Sequence, residues 1–256
     1  MKAHPFNIED SYELHIINLE ELSDMKKDLD QNIKNIIFGV EDESDLNFAK
    51  QFLNEWFVKK SDDNRKKLGH CSEFFAHLYL NKLSYMPYFL FQNLEEPGSM
   101  KKGFDGIYKK DNVIWIYESK STMYESKNKK HKINIQAAYK DIKAKVEGKN
   151  FNNNREPINP WHNAYNHARS AYVDPNDSIL KNLRKYREDF MSEKYSTISH
   201  FNIIPCSTIY NKNESFESFR DTYMSLKSWK IESPKKLVLC FNSNIFNEFM
   251  EYLNGE

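Results

Sequence analysis

The stretch from Gly103 to Lys120, GFDGIYKKDNVIWIYESK, constrains the fold more than any other part of the chain. Two runs within it, residues 104–108 and 113–117, contain the β-branched and aromatic residues that strands favour. The polar tetrapeptide KKDN between them indicates a hairpin turn. Strand interiors disfavour Asp, Glu and Lys, so the two acidic residues and the lysine in this hairpin imply either a solvated face or a function.

The rest of the chain alternates between strand and helix patterns. We predict strands at Tyr12–Leu19, in HFNIIPCSTIY and in KKLVLCFN, and a short aromatic strand in YMPYFLFQN. Apolar residues at three- and four-residue spacing predict helices in the following ranges: 22–36, 46–59, from 68, 133–146, 161–172, 175–192, 216–229 and 245–253. This order of elements predicts an α/β fold with a mixed central β-sheet flanked by helices.

The formal net charge is zero, with 37 basic and 37 acidic residues, but the charge is unevenly distributed. Residues 1–60 contain 13 acidic and 7 basic side chains, whereas residues 101–150 contain 13 basic and 6 acidic ones. An acidic beginning and a basic middle are typical of chains that contact nucleic acid, although solvated faces also segregate charge.

The three cysteines, Cys71, Cys206 and Cys240, are widely spaced and form no CxxC pair. The sequence therefore supports neither a disulfide framework nor a structural zinc site, and we expect buried free thiols. The first residues lack the apolar core of a signal peptide, and no apolar run approaches the length of a membrane span. We expect a cytoplasmic protein with no membrane partner.

The charged residues of the hairpin are placed to form a metal site. Glu118 and Lys120 are two residues apart and project from the same side of the second strand. Asp105 enters the neighbouring strand, from which its carboxylate can face theirs. Two carboxylates and the backbone carbonyl of Ser119 form an oxygen-only site suited to Mg²⁺, with Mn²⁺ as a possible substitute. Lys120 could orient the attacking water, so the predicted chemistry is phosphodiester hydrolysis.

Asp105 and the run Glu118-Ser119-Lys120 resemble the D…ExK signature of the PD-(D/E)xK nuclease superfamily, with Phe104 where Pro is usual. The resemblance implies a restriction-endonuclease-like core and a metal-dependent DNase activity. Glu73 in CSEFF occupies the place of a further catalytic and metal-binding glutamate. Further along, Gln136 is similar to the catalytic Gln of the exonuclease-like branch, and Tyr139 to its tyrosine, which we assign to nucleic-acid binding.

Three sequence stretches, SEFFAHLYL, GFDGIY and YESKST, resemble the HamA-type nuclease subunit of Hachiman anti-phage defence systems. This resemblance implies an effector subunit that acts on DNA with a HamB-type superfamily 2 helicase as its partner. Residues 1–60 would be an N-terminal strand and helical extension packed on the core. The nuclease domain would cover residues 61–256, with a helical insertion near 150–198.

A group of lysines follows the hairpin and could clamp the phosphates of the bound strand. The group comprises Lys127, Lys129, Lys130 and Lys132. The same stretch could equally be a solvated loop.

Alternatives remain for both the site and the function. The motif is short, so Glu118 could be an exposed strand residue paired with a lysine such as Lys109. The chain could be a non-catalytic subunit that binds DNA or a helicase on a nuclease scaffold, or a sequence-specific restriction endonuclease. Two histidine pairs, His70 with His77 and His162 with His167, have no Cys or acidic partner in an obvious motif. We expect His70 and His77 to be packing residues, and the spacing of five between His162 and His167 does not suit a shared metal.

Overall fold

A seven-stranded mixed β-sheet lies at the centre of the computed structural model, which describes residues 1–60, 64–91, 103–123, 130–171, 174, 177–210 and 219–255. The strands are β1 (Lys2–Glu9), β2 (Tyr12–Leu19), β3 (Met86–Pro87), β4 (Gly106–Lys110), β5 (Val113–Met123), β6 (Asn202–Tyr210) and β7 (Lys236–Ser243). The α-helices within these ranges are α1 (Lys26–Phe38), α2 (Leu46–Lys60), α3 (Asn64–Lys82), α4 (His131–Val146), α5 (Pro160–Ser170), α6 (Ser178–Met191), α7 (Phe219–Leu226) and α8 (Phe246–Asn254).

The strand order is β1-β2-β7-β6-β5-β4-β3. The four central strands β2, β7, β6 and β5 are parallel, and the pairs β1-β2, β5-β4 and β4-β3 are antiparallel. Because parallel strands end at the same edge of a sheet, the polar residues that end β5, β6 and β7 lie near one another. This edge is where open α/β sheets place their ligand sites.

Helices cover both faces of the sheet, as the alternation of side chains in β5 illustrates. Trp115 and Tyr117 pack into a core shared with α1, α2, α3 and α8, whereas Ile114 and Ile116 pack into one shared with α4, α5 and α6. Burial on both faces explains why the central strands are almost continuously apolar. The predicted α/β fold with a mixed, helix-flanked sheet is therefore confirmed.

Residues 1–60 contribute directly to this sheet. The predicted strand Tyr12–Leu19 is present as β2 and pairs with β7 along its whole length. Strand β1, which the sequence patterns did not predict, is an edge strand with no buried side chain and with Pro5 in its middle. Edge strands tolerate proline and polar residues, which removes the apolar signal by which strands are recognised.

Two other boundaries differ from the predictions. Helix α3 begins at Asn64 rather than at Leu68, because residues 64–66 are exposed and Arg and Lys favour helix without any apolar pattern. Strand β3 contains only Met86 and Pro87 of the predicted aromatic strand, and proline cannot donate to a ladder. No helix within the described ranges is long and apolar enough to cross a membrane.

Candidate active site

The β4–β5 hairpin brings Asp105 next to Glu118. A two-residue turn, Asp111-Asn112, joins the strands with φ angles of 53° and 59°, as in the type I′ turns that suit hairpins. Gly106 pairs with Tyr117, so Asp105 reaches the position opposite Glu118 at the end of the ladder. Its Oδ2 accepts the Ser119 backbone N–H at 2.8 Å, which fixes the carboxylate at the sheet edge.

Glu118 is only 2% exposed, and each of its carboxylate oxygens contacts a lysine. Lys120 Nζ lies 3.1 Å from Oε1, and Lys145 Nζ of α4 lies 2.6 Å from Oε2. The structure excludes the alternative of an exposed Glu118 paired with Lys109, because Lys109 instead contacts Asp177 at 2.9 Å. Glu118 is a buried acidic group with two cationic partners, which is the arrangement that a buried carboxylate requires.

Lys120 bridges two elements of the site. Its Nζ lies 2.7 Å from Asp141 Oδ2 on α4 as well as 3.1 Å from Glu118. Burial alone lowers the pKa of a lysine, but the charge of Glu118 and the hydrogen bond to Asp141 raise the pKa of Lys120 above its ordinary value. Lys120 therefore remains a fixed positive charge at the edge of the site.

Both carboxyls of the pair resist ionisation. Burial raises the pKa of Glu118 to about 7, and the charge of Asp105 adds to the rise against the opposing effect of the two lysines. Burial likewise raises the pKa of Asp105 to about 6, with the charge of Glu73 as the second cause. Such mutual repulsion between carboxylates is relieved by a cation placed between them.

Glu73, the third predicted acidic residue, reaches this region from α3 on the other face of the sheet. It is half-buried and close enough to raise the pKa of Asp105. His70, one helical turn earlier, lies 3.7 Å from it (Nδ1 to Oε2), so one of the histidines expected only to pack has an acidic neighbour. Even so, the described part of the chain contains no group of three or more His, Cys, Asp or Glu side chains that could hold a metal ion.

The backbone of Ser119 is oriented towards the carboxylates. Its N–H is bonded to Asp105, and the N–H and C=O of a strand residue point to the same edge. The strand continues to Met123, past the last β4 pairing at Tyr117, so no β4 residue pairs with Ser119. The carbonyl oxygen predicted as a ligand therefore points to the Asp105 side.

The remaining predicted residues are not all brought to this cluster. Gln136 is nine positions before Lys145, about half a turn round α4 at 100° per residue, so it lies on the opposite side of the helix. Tyr139 packs edge-on against Trp229, with ring centroids 5.7 Å apart. The lysines at 130 and 132 are exposed at the start of α4, whereas those at 127 and 129 lie outside the described residues.

Sequence reasoning missed three residues of α4 that contribute to the site. Asn134, Asp141 and Lys145 recur at i, i+7 and i+11, which places them on one side of the helix. Asp141 and Lys145 contact Lys120 and Glu118, and Asn134 Nδ2 donates to the Lys120 carbonyl at 3.5 Å. This polar stripe beside an apolar one was the signal that could have identified these residues.

A buried polar network continues from Asn134 along the carboxyl edge of the sheet. Asn134 Nδ2 donates to Ser207 Oγ at 3.1 Å, and Ser207 contacts His131 Nδ1 at 2.8 Å. His131 Nε2 lies 3.1 Å from Asn242 Oδ1, so the network joins α4 to both β6 and β7. Burial lowers the pKa of His131 to about 4, so this histidine is neutral and fixes the position of α4 by hydrogen bonds rather than by charge.

Comparison of the sequence with protein-family models and with curated protein sequences gave no match. The assignment of a function therefore depends on the geometry of this cluster and on the resemblance of its motifs.

Proposed function

We propose that this chain is a metal-dependent DNase that hydrolyses phosphodiester bonds at the site formed by Asp105, Glu118 and Lys120. The observation that carries the proposal is the facing pair of ionisable carboxyls at the carboxyl edge of the sheet, with the Lys120 ammonium in contact with one of them. A carboxylate in a structural ion pair needs no second acidic group beside it, because the second charge raises the pKa of the first. A site for a divalent cation does need two such groups.

The donor set fits Mg²⁺ or Mn²⁺. Asp105 and Glu118 would hold the ion, with the Ser119 carbonyl and water completing a hard oxygen shell and Glu73 near enough to contribute through water. Because each oxygen of Glu118 contacts a lysine, an ion bound to Glu118 would compete with those ammonium groups for the carboxylate. When bound, the metal supplies activation of water and neutralisation of charge on the phosphodiester.

The residues of the chain would provide positioning and electrostatic stabilisation. Lys120, fixed by Asp141, presents a positive charge beside the carboxylates, where it can orient a water and stabilise the charge that develops on the phosphate. Lys130 and Lys132 are exposed at the start of α4, the helix that supplies Asp141 to the site, and would contact the DNA backbone.

We further propose that the chain acts as the effector subunit of an anti-phage defence complex with a HamB-type helicase. This part of the proposal is supported by the resemblance of SEFFAHLYL, GFDGIY and YESKST to HamA-type subunits. Two of these stretches contain the residues of the candidate site.

Nicking of supercoiled plasmid tests the activity. We expect wild type to cleave the plasmid with Mg²⁺ and not with EDTA, and Glu118→Gln to cleave it in neither. If the free chain is inactive, the same assay is made with the helicase present. Glu147→Gln is the matched control, since it removes the carboxylate of the residue that follows α4, which pairs with Lys143 and Lys149 rather than with the site. Wild-type cleavage by a folded Glu118→Gln variant would rule out the site.

A second candidate, a non-catalytic subunit on a nuclease scaffold, is favoured by the two lysines that already neutralise Glu118. This candidate predicts that the folded protein binds neither Mg²⁺ nor Mn²⁺ and cleaves no DNA with the helicase present. Calorimetric titration of the metal and the plasmid assay together distinguish the two functions.

A further inference from the structure

Lys145 is a buried lysine in contact with a buried carboxylate. The residue is only 7% exposed, and a lysine is almost never buried to this degree unless it has a partner. It projects from the last turn of α4, and its Nζ lies 2.6 Å from Glu118 Oε2. The position of this ammonium group is therefore set by Glu118.

The two lysines at Glu118 differ in what else they contact. Lys120 has a second carboxylate, Asp141 at 2.7 Å, and is about one-third exposed. In the described part of the chain, Glu118 is the carboxylate that Lys145 contacts. If a divalent cation replaced the lysines at Glu118, Lys120 would still pair with Asp141, whereas Lys145 would lose its contact with Glu118.

Lys145 is also the dominant positive charge for both acids of the pair. It opposes the rise in the pKa of Asp105 and of Glu118 more strongly than Lys120 does. The Lys145 ammonium stabilises the charged forms of both carboxylates, which is the same electrostatic effect that a divalent cation bound between them would have.

We propose that Lys145 is the internal counter-ion of the metal-free site and competes with the divalent cation for Glu118. This inference rests on the proposed metal-dependent function and adds a regulatory element to it. Lys145 keeps the buried carboxylate neutralised in the absence of metal, at the expense of metal affinity. Metal binding then requires release of the ammonium from Glu118 Oε2, which sets a threshold concentration for activity.

Calorimetric titration of Mn²⁺ into the full-length wild type and Lys145→Met tests the competition. We expect the variant to bind Mn²⁺ about tenfold more tightly or better, since it lacks a unit charge within hydrogen-bond distance of a ligand. The matched control is Lys143→Met, which removes a positive charge from the same helix where it pairs with Glu232 and not with the site. The Mn²⁺ affinity of Lys143→Met should stay within about twofold of wild type, as expected for a partly exposed charge that does not contact the site. Unchanged or weaker binding by a folded Lys145→Met variant would overturn the inference.

A measurement on the wild type keeps the test valid if Lys145→Met does not fold. In ¹⁵N-lysine spectra, with the signal assigned by Lys145→Arg, the Lys145 ammonium should shift when Mg²⁺ is added. A saturating metal that leaves this signal unmoved would contradict displacement. Failure of the proposed function has a different signature: no form cleaves DNA, while Lys145→Met still binds Mn²⁺ more tightly than wild type.

Discussion

Glu118 combines a cost in stability with a position in the candidate site. Its carboxylate is almost completely buried, and two ammonium groups do not fully offset the loss of water and the repulsion of Asp105. The charged form is therefore less stable in the folded protein than in the unfolded chain. Strain of this kind is typical of functional sites, where a ligand relieves it.

The raised pKa of Glu118 predicts a pH dependence of stability. Between its ordinary value of 4.5 and about 7, the folded protein retains a proton that the unfolded chain releases. The stabilisation from this group is therefore complete below pH 4.5 and is lost as the pH rises towards 7. We therefore compare the unfolding free energies of wild type and Glu118→Gln. Between about pH 4 and about pH 8, wild type should lose up to about 3 kcal/mol of stability relative to the variant.

Urea unfolding of wild type and Glu118→Gln in EDTA, at a series of pH values, measures this difference. Glu147→Gln is again the control and should follow the wild-type curve. Parallel curves for wild type and Glu118→Gln would show that Glu118 ionises in the folded protein as it does in the unfolded chain.

At the scale of elements, the candidate site depends on the part of β5 that extends beyond the end of its neighbour β4. The strand continues to Met123, whereas its pairing with β4 stops at Tyr117. The unpaired edge leaves room for the Asp105 carboxylate, which takes the N–H that a longer β4 would have bonded. The hairpin turn sets this register, and the register decides which residues face Asp105.

The turn itself gives a prediction. Asn112 has a φ of 59°, which glycine adopts at no steric cost and β-branched residues adopt poorly. We expect Asn112→Gly to raise the free energy of unfolding by a few tenths to about 1 kcal/mol, and Asn112→Val to lower it by about 1–2 kcal/mol.

Denaturant unfolding measures both changes. Asn247→Val, at an exposed position of α8 without a positive φ, should change stability by about 0.5 kcal/mol or less. Equal effects of valine at positions 112 and 247 would show that the turn conformation does not control stability.

At the scale of the whole molecule, the N-terminal 60 residues are part of the sheet and of its core. β2 lies between β1 and β7, and α1 and α2 share a core with α3 and α8. Without these residues the sheet would lose two of its strands, and the core that contains α3 and α8 would lose two of its helices. An extension that merely packed on a finished domain would leave the sheet intact.

We therefore expect a chain that begins at residue 61 not to fold, because the edge of β7 and one face of the core would be exposed to water. A chain lacking only residues 1–10 should fold with reduced stability, since β1 is an edge strand with no buried side chain. Circular dichroism and cooperative urea unfolding distinguish these outcomes. Cooperative unfolding of the 61–256 chain would establish residues 1–60 as a separate extension.

The sequence determined the parts of the structure that depend on neighbours along the chain. Apolar periodicity located β2, β6 and β7 and most of α4, because a strand or helix imposes its period on whichever residues face the core. The alternation in β5 likewise placed Glu118 and Lys120 on one side, and their contact at 3.1 Å confirms that placement.

Only the tertiary structure decided the environment of those residues. Whether Glu118 is solvated or buried depends on α4, whose Lys145 is 27 positions away in sequence. The family resemblance implied Gln136 for the site, whereas Asp141 and Lys145 are the α4 residues that contact Lys120 and Glu118. Neither a motif nor the spacing within a helix determines how that helix is rotated against a sheet. Burial, pKa and ion pairing are properties of groups that folding brings together from distant elements, and a local pattern contains no information about those distances.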